Sequence, residues 1–153
     1  MAASVVVKDK GKAALMKRLA EKAKAVTVGI HEDVGSAQHP NSDLTIAELG
    51  AVHELGLGVP ERSFIRAWAD ETESEQKTAL RKIGEAVVKG TVPSLGVGLD
   101  RFGVHAVGQV QARIRDGIDP PLEDATVAAK GSETPLIDEG TLWTSVKHKV
   151  EEQ

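Results

Sequence analysis

The chain has 153 residues and a formal net charge of −4, with 41% apolar and 27% charged residues, which is ordinary for one soluble domain spanning 1–153. Aromatic residues make up 3% and tyrosine is absent. This disfavours the aromatic platforms that bind single-stranded nucleic acid, and the acidic balance argues against a broad phosphate-binding face. The absence of cysteine excludes disulfides, thiolate metal sites and cysteine nucleophiles.

The sequence shows neither a membrane-spanning segment nor a signal peptide. No apolar run approaches the roughly 20 residues that cross a bilayer. The first residues lack the basic start, apolar centre and small-residue cleavage site of a signal peptide. We therefore expect a protein that is made in the cytoplasm and does not bind a membrane.

The N-terminal part of the chain predicts two strands, one helix and one long loop. A β-branched run predicts a strand at 4–8, and alternating valine and isoleucine predict a second strand at 26–31. Between them, 12–25 is rich in Ala, Leu, Lys and Glu and predicts a helix. We interpret its basic side as solvated. Residues 32–43 are rich in turn-forming residues and predict a loop.

Histidines and aspartates in and beside this loop are candidate ligands or catalytic groups. His31, Asp33 and His39 suggest a metal site, but no rigid element fixes their relative positions, so we expect no metal. A hydrolase that uses His31, His39 and Asp43 is an alternative from a different functional class. No nucleophile elbow, phosphate loop or paired-metal spacing supports it, and we expect neither catalysis nor a cofactor.

A helix at 44–55 follows, capped by Ser42 or Asp43 and ended by Gly56. His53-Glu54 within it resembles the start of a zinc-protease motif. The second histidine of that motif would fall four residues after the first, at position 57, which is a leucine. The zinc-protease interpretation therefore fails.

A stiff connector leads into the longest predicted helix, at 64–89. Pro60 fixes its own backbone and pushes the preceding residue towards an extended conformation, and Ser63 is the expected cap. The helix carries an apolar stripe that a polar stretch at 70–77 interrupts, so we expect it to leave the core there or to bend across it.

Two further elements and a second long loop complete the chain. An apolar face predicts a helix at 95–116, a stiff, polar segment at 118–135 predicts a loop, and alternation predicts a strand at 146–151. The helix contains several glycines, which indicate either close packing or irregular first turns; they are Gly96, Gly98, Gly103 and Gly108. Together the elements predict an α+β fold, in which a small antiparallel sheet of the three strands is packed by the four helices.

Two stretches resemble the tail-completion, or neck, proteins of long-tailed bacteriophages. The first reads His53-Glu54-Leu55-Gly56 followed by Val59-Pro60-Glu61-Arg62-Ser63-Phe64-Ile65-Arg66. The second combines Pro120-Pro121-Leu122, Thr126, Lys130, Pro135-Leu136-Ile137-Asp138-Glu139-Gly140, Leu142 and Ser145-Val146. Members of the family typically have a second proline where this chain has Ser63, a leucine where it has Ile65, and a threonine where it has Glu139.

The resemblance implies a structural protein of the virion neck. Such a protein would form a ring, sixfold in expectation, at the head–tail junction and complete the tail so that it joins the head. Its partners would be copies of itself and neighbouring connector, tail-terminator or tail-tube proteins, with DNA only as cargo passing through the lumen. The alternative within the same biology is the tail-terminator ring, which caps the tail tube and stops its polymerisation.

The same two stretches contain the residues that we expect at interfaces between subunits. In the first stretch the candidates are apolar residues at helical spacing and the two arginines beside them. In the second stretch the candidate is the turn before the last strand. The predicted interface residues are Arg62, Phe64, Ile65, Arg66, Trp68, Leu136, Ile137 and Asp138. For Phe64 and Trp68, contacts in the core of the same chain are the alternative.

Overall fold

The computed structural model describes residues 10–19, 24–40, 42–130, 136 and 140–152. In chain order the elements are α1 (Lys10–Leu19), β1 (Lys24–Ile30), α2 (Glu32–Gly35), α3 (Ile46–Leu55), α4 (Arg66–Lys89), α5 (Leu95–Asp116), α6 (Asp124–Lys130), α7 (Thr141–Ser145) and β2 (Val146–Glu152). This part of the chain is mostly helical with one small antiparallel sheet, which confirms the predicted α+β class.

The two described strands come from opposite ends of the chain and pair with each other. β1 and β2 are antiparallel, with Val26 opposite Val150 and Ile30 opposite Val146. Because side chains alternate along a strand, these apolar pairs share one face of the sheet, the face on which α5 packs. The strands predicted at 26–31 and 146–151 are thereby confirmed, whereas the strand predicted at 4–8 lies outside the described residues.

α5 is the central helix of the fold, and its predicted range of 95–116 is confirmed. It contacts both strands and α4. Ser94 caps it, since its hydroxyl accepts a hydrogen bond from the backbone N–H of Val97 at 3.3 Å. The buried apolar residues along its inner side are Leu99, Ala106, Val110 and Ile114.

Two glycines bring α5 unusually close to its neighbours, which is the first of the two interpretations of its glycine content. A Cβ atom at Gly98 would overlap the Cγ2 atom of Ile83 in α4. A Cβ atom at Gly103 would lie 2.9 Å from the Cβ atom of His148 in β2, and closer still to the imidazole ring. Real Cβ atoms do not approach other carbons this closely, so these positions require glycine for packing.

We expect Gly103→Ala to lower the free energy of unfolding by about 1–2 kcal/mol. The overpacking at His148 costs about 1–3 kcal/mol and outweighs the gain of up to about 1 kcal/mol in helix propensity. Gly84→Ala in α4 is the matched control, because a Cβ at that position has no atom within 4 Å in the part of the chain that the structure describes. Urea denaturation should show the control equal to or more stable than the unsubstituted protein. Equal stabilisation by both substitutions would contradict the close packing.

Three helix boundaries differ from the predicted ones for identifiable reasons. The helix predicted at 12–25 is described over Lys10–Leu19, and Lys24 and Ala25, the last two residues of the predicted range, pair in the sheet instead. α3 begins at Ile46, and its cap is Thr45 rather than Ser42 or Asp43. Thr45 and Glu48 form a capping box, in which each side chain accepts a hydrogen bond from the other residue's backbone N–H, at 3.2 and 2.8 Å.

The third boundary is the start of α4, which begins at Arg66 and not at residue 64. The polar stretch predicted to interrupt its apolar stripe is exposed except at the half-buried Thr72 and Gln76. Lys77 in this stretch forms an ion pair with Glu73 at 2.7 Å. Trp68 and Val87, near the two ends of the helix, are buried. None of the described helices is long and apolar enough to span a membrane.

Short helices occupy parts of both segments that were predicted as loops. α2 lies in the first, where Gln38 and Thr45 also form an isolated antiparallel bridge. α6 lies in the second, and 131–135 are outside the described residues. Short polar segments of this kind give weak helical periodicity, so the sequence pattern does not distinguish them from turns.

Candidate functional site

The segment between α3 and α4 is held in place by side-chain and backbone hydrogen bonds to α3, α4, α5 and the chain after α5. α3 ends at Gly56, which adopts the left-handed conformation with a φ of 67°. A Cβ atom there would lie 3.0–3.2 Å from three atoms of Glu61. Gly56 therefore satisfies two requirements, a positive φ and a close approach of the returning chain. We call residues 53–66 the joint.

Glu54 is the central residue of the joint. Its carboxylate accepts hydrogen bonds from the backbone N–H groups of Phe64, Ile65 and Arg66, at 2.8, 3.1 and 2.8 Å. It also accepts one from the hydroxyl of Ser63, at 2.7 Å. The first N–H groups of a helix have no partner within the helix and carry a partial positive charge. A carboxylate from the last turn of α3 thus caps the start of α4.

The surroundings of Glu54 act on its pKa in opposite directions. Partial burial works to raise the pKa of this carboxyl, because burial disfavours the charged form. The hydrogen bonds from Ser63 and from the backbone of Arg66, Ile65 and Phe64 favour the charged form, and the net result is a lowered pKa. The joint therefore depends on an ionised carboxylate.

Ser63 links the joint to α4 and to α5. Its hydroxyl donates to Glu54 and accepts a hydrogen bond from the backbone N–H of Ala67 at 3.0 Å. Its carbonyl accepts a hydrogen bond from Nε of Arg113 at 3.2 Å, and that arginine also pairs with Glu71 at 2.6 Å. The predicted capping role of Ser63 is present, although it is shared with Glu54.

Arg62 connects the joint to the segment that follows α5. Its side chain is only 4% exposed. Nε and Nη2 donate to the carbonyl oxygen of Pro120 at 3.0 and 2.7 Å, and Nη2 also donates to that of Pro121 at 3.3 Å. The backbone N–H of Arg62 donates to the carbonyl of His53 at 2.8 Å. A proline-rich segment 58 residues further along the chain is thereby attached to the end of α3.

The second stretch that carries the resemblance packs into the same core as the first. Leu136 and Leu142 are 8% and 3% exposed, and they share a core cluster with Phe64. The side-chain amide of Gln111 in α5 donates to the carbonyl of Trp143 at 3.2 Å. The two stretches therefore form one structural unit around α5.

The predicted interface residues of the first stretch divide into two groups. Phe64 and Trp68 are 1% and 7% exposed and belong to the core, and the indole N–H of Trp68 donates to Oε1 of Gln109 at 3.1 Å. Arg62 is buried against its own chain, as described above. Ile65 is half-buried, and Arg66 is exposed and paired with Glu61. Contact of these residues with a neighbouring subunit stays a prediction.

In the second stretch, only one of the three predicted interface residues is described. Leu136 is buried in the core and has a φ of 65°, in the left-handed region that non-glycine residues rarely adopt. Ile137 and Asp138 lie outside the described residues. Among the described residues that follow, Gly140 stands at the N-terminal boundary of α7.

The candidate metal ligands His31, Asp33 and His39 do not form a cluster. Asp33 pairs with Lys149 at 3.1 Å, and the hydrogen bond from this lysine helps to lower the pKa of the carboxyl. Among the described residues, no group of three His, Cys, Asp or Glu side chains is arranged to hold a metal ion. The expectation that the protein binds no metal stays a prediction.

A cavity of about 320 Å³ lies beside the joint. His39, His53 and Arg62 contribute its polar wall, and leucines contribute most of the rest. Ser42 and Leu136, which also line it, each neighbour residues that the structure does not describe. Its volume therefore does not define a ligand site.

Comparisons with protein-family models, curated proteins and solved structures find no match to this chain. The resemblance to phage neck proteins thus rests on the residues of the two stretches themselves.

Proposed function

We propose that the chain is a structural protein of the phage neck, which forms a ring at the head–tail junction and completes the tail. The observation that supports this best is the contact between Arg62 and the carbonyls of Pro120 and Pro121. Arg62 belongs to the first of the two resembling stretches, and the prolines begin the second. Residues that form one structural unit are expected to recur together in a family, so this contact favours treating the two stretches as one motif.

The physical character of the joint agrees with a role in assembly. Glu54, Ser63 and Arg62 hold α3, α4 and the segment after α5 in fixed relative positions. A rigid subunit loses little conformational entropy when it enters a ring, so more of its contact energy is available for association. No step of this role needs a reactive side chain, a cofactor or a metal.

Purified protein and reconstituted particles test the proposal. We expect mass photometry and negative-stain imaging to show a closed ring of identical subunits. We also expect heads and tails from a phage lacking this protein to remain separate until the purified protein is added. A protein that stays monomeric at all concentrations, and whose removal leaves head–tail joining intact, would overturn the proposal.

A further inference from the structure

The solvent-facing side of α5 carries exposed valines next to basic residues. We define the outer α5 face as the five exposed residues Val97, Arg101, Val104, Gly108 and Arg115, which recur at helical spacing opposite the buried side. Val104 is 60% exposed and Val97 is 38% exposed. No atom of a described residue lies within 4 Å of a Cβ built at Gly108. The outer α5 face is therefore accessible to another protein surface, and no side chain projects from it at Gly108.

The charges on this face have no partner within the described part of the chain. Arg101 and Arg115 form no ion pair or side-chain hydrogen bond there, in contrast to Arg62, Arg66 and Arg113. Asp100, which borders the face between Val97 and Val104, is turned to Nε2 of His148 at 2.9 Å, and Asp116 borders its other end. An arginine beside exposed valine supplies both a charge and an apolar stem for contact with another surface.

The first half of α4 has the complementary chemistry. We define the acidic α4 face as Asp70, Glu71, Ser74 and Glu75, all of them exposed. Glu71 is paired with Arg113, whereas Asp70 and Glu75 form no ion pair with a described residue. The same chain therefore presents a basic, partly apolar helix face and an acidic helix face.

We propose that the outer α5 face of one subunit docks on the acidic α4 face of a second copy of the chain. Contacts between like faces would place arginine opposite arginine or carboxylate opposite carboxylate, which is unfavourable. The net charge of −4 makes copies repel at long range, so association needs local complementarity of this kind. A contact between two different patches closes into a ring or continues as a filament. The inference rests on the proposed function, for which it names the contact within the ring.

Charge reversal tests the contact. We expect the double variant Arg101→Glu, Arg115→Glu to weaken self-association at least about tenfold, and Asp70→Lys, Glu75→Lys to weaken it similarly. Combining all four substitutions in one chain restores opposite charges and should recover association. An equimolar mixture of the two double variants should recover it as well, because each variant then offers the face that the other needs. Circular dichroism checks that each variant is folded.

Disulfide cross-linking between single-cysteine variants provides a second test of the contact and leaves the charges of both faces unchanged. The chain contains no cysteine, so introduced thiols react only with each other. We expect copies with Val104→Cys and copies with Ser74→Cys to form a disulfide-linked dimer when mixed and oxidised. Val104→Cys mixed with Thr27→Cys, an exposed position on the outer side of β1, is the control. Cross-linking of Val104→Cys copies to each other would indicate a symmetric α5 contact and overturn the proposal.

The outcomes separate this inference from the proposed function. If the unsubstituted protein forms rings and neither double variant weakens them, the proposed contact is wrong while the neck function stands. If the unsubstituted protein does not self-associate, the proposed contact is contradicted, and the head–tail joining experiment alone then decides the neck function. Association that weakens with rising salt in the unsubstituted protein and in the fourfold variant, but not in either double variant, would support the contact independently.

Discussion

Glu54→Ala is expected to destabilise the protein by about 3 kcal/mol. The substitution leaves the hydroxyl of Ser63 and the N–H groups of Phe64 and Ile65 without their acceptor, and each unsatisfied buried donor costs about 1–3 kcal/mol. The N–H of Arg66 is more exposed, so water replaces its lost bond in part. Urea denaturation measures the loss in the free energy of unfolding.

The matched control for this prediction is Glu61→Ala, in the same connector. Glu61 is exposed, and its ion-pair partner among the described residues is Arg66, so its removal should cost less than about 1 kcal/mol. If Glu54→Ala and Glu61→Ala have equal effects, the capping of α4 by Glu54 contributes nothing and our account of the joint is wrong.

Because the pKa of Glu54 is lowered, its contribution to the free energy of unfolding should depend on pH. A carboxyl whose pKa is lower in the folded state stabilises the fold fully above its unfolded pKa, about 4.3, and this stabilisation is lost as pH falls through the folded pKa. Between pH 7 and about pH 3, the stability difference between the unsubstituted protein and Glu54→Gln should therefore shrink. A difference that stays constant over this range would contradict ionisation of Glu54 in the joint.

Arg62→Ala is the second substitution with a large expected effect, a loss of about 2–4 kcal/mol. Hydrogen bonds from a charged donor contribute about 1.5–3 kcal/mol, and here the same guanidinium serves the carbonyls of Pro120 and Pro121. The buried stem is lost as well. Because the segment at 117–123 loses this attachment, limited proteolysis should cut it faster in the variant.

Arg66→Ala is the control for Arg62→Ala, since it removes the same side chain four positions further on. Arg66 is exposed, and its pairing with Glu61 is a surface ion pair, so the expected loss is under about 1 kcal/mol. Arg62→Lys should recover little, because a lysine does not reproduce the planar fork of the guanidinium. Equal stability of Arg62→Ala and Arg66→Ala would show that the attachment is unimportant.

The sequence predicts those parts of the fold that have long or strong periodicity. The helix at 95–116 extends over six turns and is correct at both ends, and the two described strands are correct to within two residues. The glycines of α5 also carry a usable signal, since Gly98 and Gly103 do mark close approaches. Lys24 lies in a stretch of good helix formers but pairs with Glu152 in the sheet. Such an element boundary depends on tertiary pairing, and no local sequence pattern indicates it.

The chemistry of the joint is less accessible to sequence reasoning. Thr45 and Glu48 follow a known local spacing, so the correct cap of α3 was available in the sequence. Glu54 lies ten residues before the backbone that it caps, and no local rule connects the two. Arg62 finds its acceptors 58 residues away, and a charged residue beside Phe64 resembles an interface residue until its burial is known.

A map of the intact phage particle tests our central claim most directly, namely that this chain is a neck protein built around a rigid joint. The account predicts a ring of identical subunits between head and tail, into which α3, α4, α5 and the joint fit as one body. The position of the ring relative to the connector and the tail tube distinguishes tail completion from tail termination. Absence of the chain from the particle, or a location away from the head–tail junction, would contradict the account.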